Sequence, residues 1–185
     1  MKRFWSYIAD VESLVGWAGK GALLAPLISL VTDIGPPYPS RISVPVLTCL
    51  LLVLLLIYIF HFWEPLSKSQ LERRLKVTLI LIVPCLILYF LLFNFFVLDA
   101  PDESNRVVKG FLLTKQAQSV VGPDYPVEKA LQGAQYNPTR IWEPWTVYLM
   151  RLMLLIAWTL SFAAISSYLA SFVLLQQQRL NKVPA

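Results

Sequence analysis

The 185-residue chain is 57% hydrophobic and only 15% charged, and its formal net charge is +5 at pH 7. Soluble domains are roughly 45 to 50% apolar and about 25% charged, so this composition excludes an ordinary soluble fold. It predicts a single all-α membrane domain, because a backbone segment in lipid must satisfy its hydrogen bonds internally. Both cysteines, Cys49 and Cys85, lie in apolar runs, where their spacing supports neither a disulfide framework nor a metal cluster.

The first candidate span covers about residues 12–34 and is the weakest of four. It is apolar in character but contains Glu12, Lys20 and Asp33, together with three glycines and one proline. A helix that lies on the membrane surface has a strongly charged face, which this segment lacks. We therefore expect residues 12–34 to form a span that depends on packing against its neighbours.

The two clearest spans are residues 44–63 and 77–98, apolar runs of 20 and 22 residues without a formal charge. Each is long enough to cross a bilayer core of about 30 Å as a helix. The short loop between them has four basic side chains, Lys68, Arg73, Arg74 and Lys76. The positive-inside rule places this loop in the cytoplasm, where it could contact anionic lipid headgroups or a soluble protein partner. Nucleic-acid binding is not expected, because topology alone accounts for these charges.

The long segment of residues 99–145 is predicted to form a small extracytoplasmic cap. Within it, residues 106–113 suit a short strand or an interfacial stretch, and residues 126–134 suit a short helix with Asp124 near its start. The cap is too small to hold an independent catalytic core. An aromatic belt at the entry to the next span is indicated by three side chains, Trp142, Trp145 and Tyr148.

The last span covers residues 145–175, and its helix is expected to extend to about residue 178. Pro144 stands at the first turn, where a missing N–H costs nothing. A helix of this length is about 50 Å long, so it should tilt or project beyond the bilayer.

The overall prediction is a four-transmembrane-helix bundle with the cap between helices 3 and 4. This topology places three basic clusters on one side: Lys2 with Arg3, the short loop, and Arg179 with Lys182. A three-span topology would separate Lys2 and Arg3 from the other two clusters. We therefore expect both termini in the cytoplasm, and a bacterial inner (plasma) membrane as the location.

Two cations, Lys20 and Arg151, lie inside predicted spans. An isolated cation at the centre of a spanning helix costs about 2.5 to 3.5 kcal/mol, so each is expected to face protein, water or an anion. Arg151 either reaches the outer headgroups or pairs with Asp99, or it lines a pore or an anionic-lipid site. Lys20 is closer to the membrane centre and faces either an interior cavity or a subunit interface.

Small residues recur at helical spacing in the first and last spans. The first stripe consists of Ala18, Ala22 and Ala25, and the second of Ala163, Ser167 and Ser171, with Ala157 and Ser161 higher in the same helix. Such stripes let helix backbones approach closely in lipid. They predict either packing within one subunit or homo-oligomerisation.

The sequence favours a protein without enzymatic activity or a cofactor. With one histidine, His61, and both cysteines in apolar runs, it offers no catalytic triad, no zinc spacing and no phosphate-binding glycine loop. A lipid-modifying enzyme would need Arg151, His61 and Glu64 to converge, although they are expected near opposite membrane faces.

The general organisation, four short helices with almost no soluble mass, is similar to that of small membrane effectors and membrane subunits of bacterial toxin and anti-phage systems. This is an analogy of architecture. It implies a non-enzymatic inner-membrane protein that oligomerises in the lipid bilayer and perturbs the membrane, for example as a pore, or signals across it. The alternative is a structural or accessory anchor that recruits a cytoplasmic protein through the basic loop and the C-terminal tail.

Overall fold

The computed structural model describes residues 26–27, 35–37, 43–99, 106–121 and 126–180. The predicted first span, apart from residues 26–27, lies outside the described residues. So do the site residues predicted in it, Lys20, Ala18, Ala22 and Ala25.

Three long helices form the body of the described chain: α1 (Ser43–Trp63), α2 (Lys68–Phe96) and α5 (Pro144–Leu180). Each is long and apolar enough to cross a membrane, which supports a multi-pass helical membrane protein and confirms three of the four predicted apolar helices. Between α2 and α5 the chain forms the small elements of the cap. These are β1 (Val97–Asp99), β2 (Arg106–Val108), α3 (Lys115–Val120), α4 (Val127–Gly133) and a 3₁₀ turn (Pro138–Arg140).

Helix α2 begins at Lys68, so most of the predicted loop is helical. Ser67 ends the turn after α1 because its side chain accepts a hydrogen bond from Gln70 N–H while the Gln70 side chain accepts one from Ser67 N–H. With 29 residues α2 is about 44 Å long, and α5 with 37 residues is about 55 Å long. Both exceed the bilayer core of about 30 Å, so in a membrane each helix would tilt or extend beyond the core.

The directions of the helices follow from two clusters of buried side chains. Val44, at the start of α1, packs with Leu154 of α5, whereas Ile59, near the end of α1, packs with Leu174. Helices α1 and α5 therefore run in the same direction. Helix α2 runs the opposite way. We call the end of the bundle at the α1–α2 turn the basic end and the opposite end the cap end.

The outward faces of α1 and α2 are apolar. Leu54 is 63% exposed and Ile80 is 71% exposed, and both belong to long rows of exposed aliphatic and aromatic side chains. Such surfaces are stable in contact with lipid and unfavourable in water. Helix α5 is more enclosed, since Phe172 is the one exposed side chain between Ser161 and Gln178.

The cap has its own small hydrophobic core. Strands β1 and β2 pair antiparallel with Val97 opposite Val108, which confirms a strand in the first part of residues 106–113. The predicted short helix at 126–134 is also confirmed, as Val127–Gly133. Buried side chains from the cap and from the first turn of α5 pack together, namely Val107, Ala117, Leu131, Ile141, Trp142 and Val147.

Candidate functional site

The four predicted basic residues lie on the first three turns of α2, and all are exposed. They divide between two faces because residues four apart share a side of a helix. Lys68 and Lys76 are on one face with Glu72, and Lys68 Nζ lies 3.8 Å from Glu72 Oε1. Arg73 and Arg74 border a separate groove.

This groove, which we call the basic groove, is an open cavity of about 480 Å³ at the basic end. The Arg74 guanidinium stacks over the Trp63 ring, 4.4 Å from its centroid. Gln70, Arg73 and Val77 also line the groove. The groove therefore combines two guanidinium groups with an indole ring and an apolar edge.

Helix α5 fixes the position of the α1–α2 turn and of the first turns of α2, which form the basic groove. Gln178 Nε2 donates a hydrogen bond of 2.9 Å to the backbone oxygen of Leu66 in the α1–α2 turn. Leu71, which lies beside the groove on the side of α2 that faces α5, is buried with Leu174 and Ile59. The turn and the first turns of α2 are thus fixed against the last turns of α5.

Arg151 lies in the cap half of α5, half-buried, with its guanidinium carbon 5.7 Å from the centroid of the Tyr148 ring. The alternative that Arg151 pairs with Asp99 is wrong. Asp99 pairs with Arg106, whose Nε lies 2.8 Å from Asp99 Oδ1, because the β1–β2 register places these two residues directly opposite each other.

The second small-residue stripe divides into two groups. Ala157, Ser161 and Ser171 are buried within the chain, and the Ser161 and Ser171 hydroxyls donate to backbone oxygens of their own helix. Ala163 and Ser167 are half-buried. Packing within the subunit accounts for the buried group, and oligomerisation through Ala163 and Ser167 stays a prediction.

The residues that a lipid-modifying enzyme would require do not converge. His61 and Glu64 lie at the basic end, next to the α1–α2 turn, whereas Arg151 lies on α5 near the cap. Among the described residues no group of three or more His, Cys, Asp or Glu side chains could hold a metal ion.

Sequence reasoning missed one contact between the helices. Trp158 Nε1 of α5 donates a hydrogen bond of 3.2 Å to Thr48 Oγ1 of α1, and the Thr48 hydroxyl donates to Val44 O. The Tyr89 ring of α2 lies 5.2 Å from the Trp158 ring. All three helices meet here, so this part of the bundle between α1, α2 and α5 is filled with side chains. A threonine and a tryptophan 110 residues apart carry no sequence signal for such a pairing.

No protein-family model, curated protein or solved structure matches this chain. Its function is therefore inferred from the geometry of the described residues.

Proposed function

We propose that this protein is a non-enzymatic membrane subunit that assembles with itself or a partner and couples the cap to the basic end across the bilayer. The observation that supports this function is the path of α5. One continuous 37-residue helix contributes side chains to the cap core, to the cap-end bundle core and to the basic-end core.

The three contacts of α5 give the coupling a physical route. Val147 is fully buried in the cap core, Leu154 is buried between α1 and α2, and Leu174 is buried against the turn region at the basic end. Packed interfaces of this kind shift between discrete arrangements rather than deforming continuously. A change in the cap that moves α5 would therefore alter the support that Gln178 gives to Leu66.

The proposed orientation has the basic end in the cytoplasm and the cap outside, in a bacterial inner membrane. It rests on the positive-inside rule applied to Lys68, Arg73, Arg74 and Lys76. Labelling by an impermeant thiol reagent on intact cells tests it, with single cysteines at Ser69 and at Gln116. We expect Gln116→Cys to react and Ser69→Cys to stay unlabelled until the cells are opened, and the reverse pattern would overturn the orientation.

The coupling is tested in nanodiscs, where both faces are accessible. The reporter is Ser69→Cys, exposed in the first turn of α2, in a Cys49→Ala/Cys85→Ala background. The perturbation is Gly110→Val in the cap, because even a Cβ atom at Gly110 would lie 2.7 Å from Trp142 Cβ. The matched control is Val120→Ala, at an exposed position in the same cap. We expect the cap variant to change the labelling rate of the reporter at least about twofold, because α5 would no longer be held in one position by the cap core.

Protease sensitivity of the cap shows independently that Gly110→Val has opened it. If the cap is open and the reporter still reacts at the control rate, the two ends are independent and the coupling function is wrong.

A second candidate is a self-assembling effector that permeabilises the membrane. The half-buried Ala163 and Ser167 favour it, because small residues that the chain itself leaves partly uncovered allow close approach of another helix. Since side chains fill the cap-end half of the described bundle, a conducting path would lie between copies and not through it. Expression with a membrane-potential dye should then show depolarisation that Ser167→Ile reduces and the lipid-facing Leu160→Ile does not.

A third candidate is an accessory anchor that recruits a soluble protein. The exposed face with Lys68 and Lys76 favours an acidic partner, because the helix residues before Val77 exceed the length of about 20 residues that α2 needs to cross a bilayer core. Cross-linking from Lys76→Cys in cells should then capture a soluble protein, and Lys115→Cys in the cap should not.

A further inference from the structure

We propose that the basic groove binds one anionic phospholipid from the leaflet at the basic end. Arg73 and Arg74 would hold the phosphate, and the exposed side of α2 next to the groove would contact the acyl chains. This inference does not depend on the coupling function, since it concerns the local chemistry of the α1–α2 turn.

The charge in the groove is available to a ligand. Lys68 pairs with Glu72 on the other face of α2, and among the described residues neither Arg73 nor Arg74 lies within 4.0 Å of a carboxylate oxygen. Guanidinium groups match the geometry of a phosphate and bind it through two N–H donors at once. Two adjacent arginines on one wall of an open groove therefore form a receptor for a single phosphate group.

Trp63 orients one arginine of the groove and indicates the level of the groove in the membrane. Stacking over the indole face orients the Arg74 guanidinium and leaves its N–H edge available for hydrogen bonds. Tryptophan at the end of a spanning helix is typical of the headgroup level of a membrane. About 20 residues of α2, residues 77–96, are enough to cross a core of about 30 Å, so the helix residues before Val77, which include Arg73 and Arg74, would lie at the level of the phospholipid phosphates.

The apolar edge of the groove distinguishes a phospholipid from a free anion or a soluble protein. Val77 lines the groove and is 49% exposed, and one turn further into the bilayer Ile80 is 71% exposed. The groove is therefore continuous with the lipid-facing side of α2. When the arginines hold the phosphate of a phospholipid, its acyl chains can lie along Val77 and Ile80. A free anion has no apolar part to make this second contact.

The test measures lipid bound per protein by native mass spectrometry after mild detergent extraction and incubation with phosphatidylglycerol or phosphatidylcholine. The site variant is Arg73→Gln/Arg74→Gln. The matched control, Lys68→Gln/Lys76→Gln, removes the same charge from the other face of the same turns. We expect the site variant to lose phosphatidylglycerol binding at least about tenfold, and the control to change it less than about twofold.

A third variant, Trp63→Leu, keeps the net charge and removes the stacking platform. We expect it to weaken phosphatidylglycerol binding several-fold while the protein elutes from a sizing column as the wild type does, which separates a binding defect from misfolding. Phosphatidylcholine should bind poorly to every form.

Three outcomes would overturn the proposal. Equal losses in the two double variants would mean that the basic surface attracts anionic lipid diffusely. Displacement of phosphatidylglycerol by millimolar inorganic phosphate would mean a site for free anions. Undiminished phosphatidylglycerol binding in the site variant, with loss of a co-purifying soluble protein, would assign the groove to a protein partner.

Discussion

At Gly110, the cap leaves no space for a side chain. A Cβ atom there would lie against the Thr146 hydroxyl and 2.7 Å from Trp142 Cβ, where the cap packs on the start of α5. Because Trp142 is buried in the cap core and cannot move freely, we expect Gly110→Ala to lower the free energy of unfolding of the cap by about 1–3 kcal/mol. Hydrogen exchange of the cap amides in detergent measures this loss. Val120→Ala, at an exposed site, should exchange as the wild type does, and equal protection in the two variants would contradict the steric argument.

At the scale of the element, a local hydrogen-bond pattern decides where α2 begins. Ser67 accepts from Gln70 N–H, so Ser67→Ala removes a helix cap and should cost about 1 kcal/mol. We expect amides in the first turn of α2 to exchange faster in this variant. Ser69→Ala is the matched control, because the same substitution within the same turn leaves the cap intact. Faster exchange in both variants would show that the first turn frays for another reason.

At the scale of the whole molecule, the Thr48–Trp158 hydrogen bond joins helices that are distant in sequence. We expect loss of this hydrogen bond in Trp158→Phe to destabilise the bundle by about 0.6 kcal/mol and by no more than about 1.7 kcal/mol, the average and the maximum for hydrogen bonds between membrane helices. Unfolding in mixed detergent micelles with rising dodecyl sulfate gives the value. Trp145→Phe is the matched control on the same helix, since Trp145 is 55% exposed. A stability change of the same size in both variants would remove the special role of the Thr48 contact.

The sequence by itself determined the features that depend on local composition. Runs of apolar residues long enough to cross a bilayer predicted the helices that became α1, α2 and α5, because lipid leaves a spanning backbone few alternatives to a helix. The short cap helix was predicted from its pattern as well. The start of α2 at Lys68 was not predicted, because hydropathy identifies the part of a helix that suits lipid and says little about where the helix begins.

Only the tertiary structure decided which side chains meet. It paired Asp99 with Arg106 instead of Arg151, it stacked Arg74 on Trp63 to form the basic groove, and it buried Ser171 while leaving Ser167 partly uncovered. Helical periodicity shows which residues share a face, but the choice of which face of one helix packs on which face of another depends on the fit of whole surfaces. That fit is a property of three helices together, so no local stretch of the chain contains it.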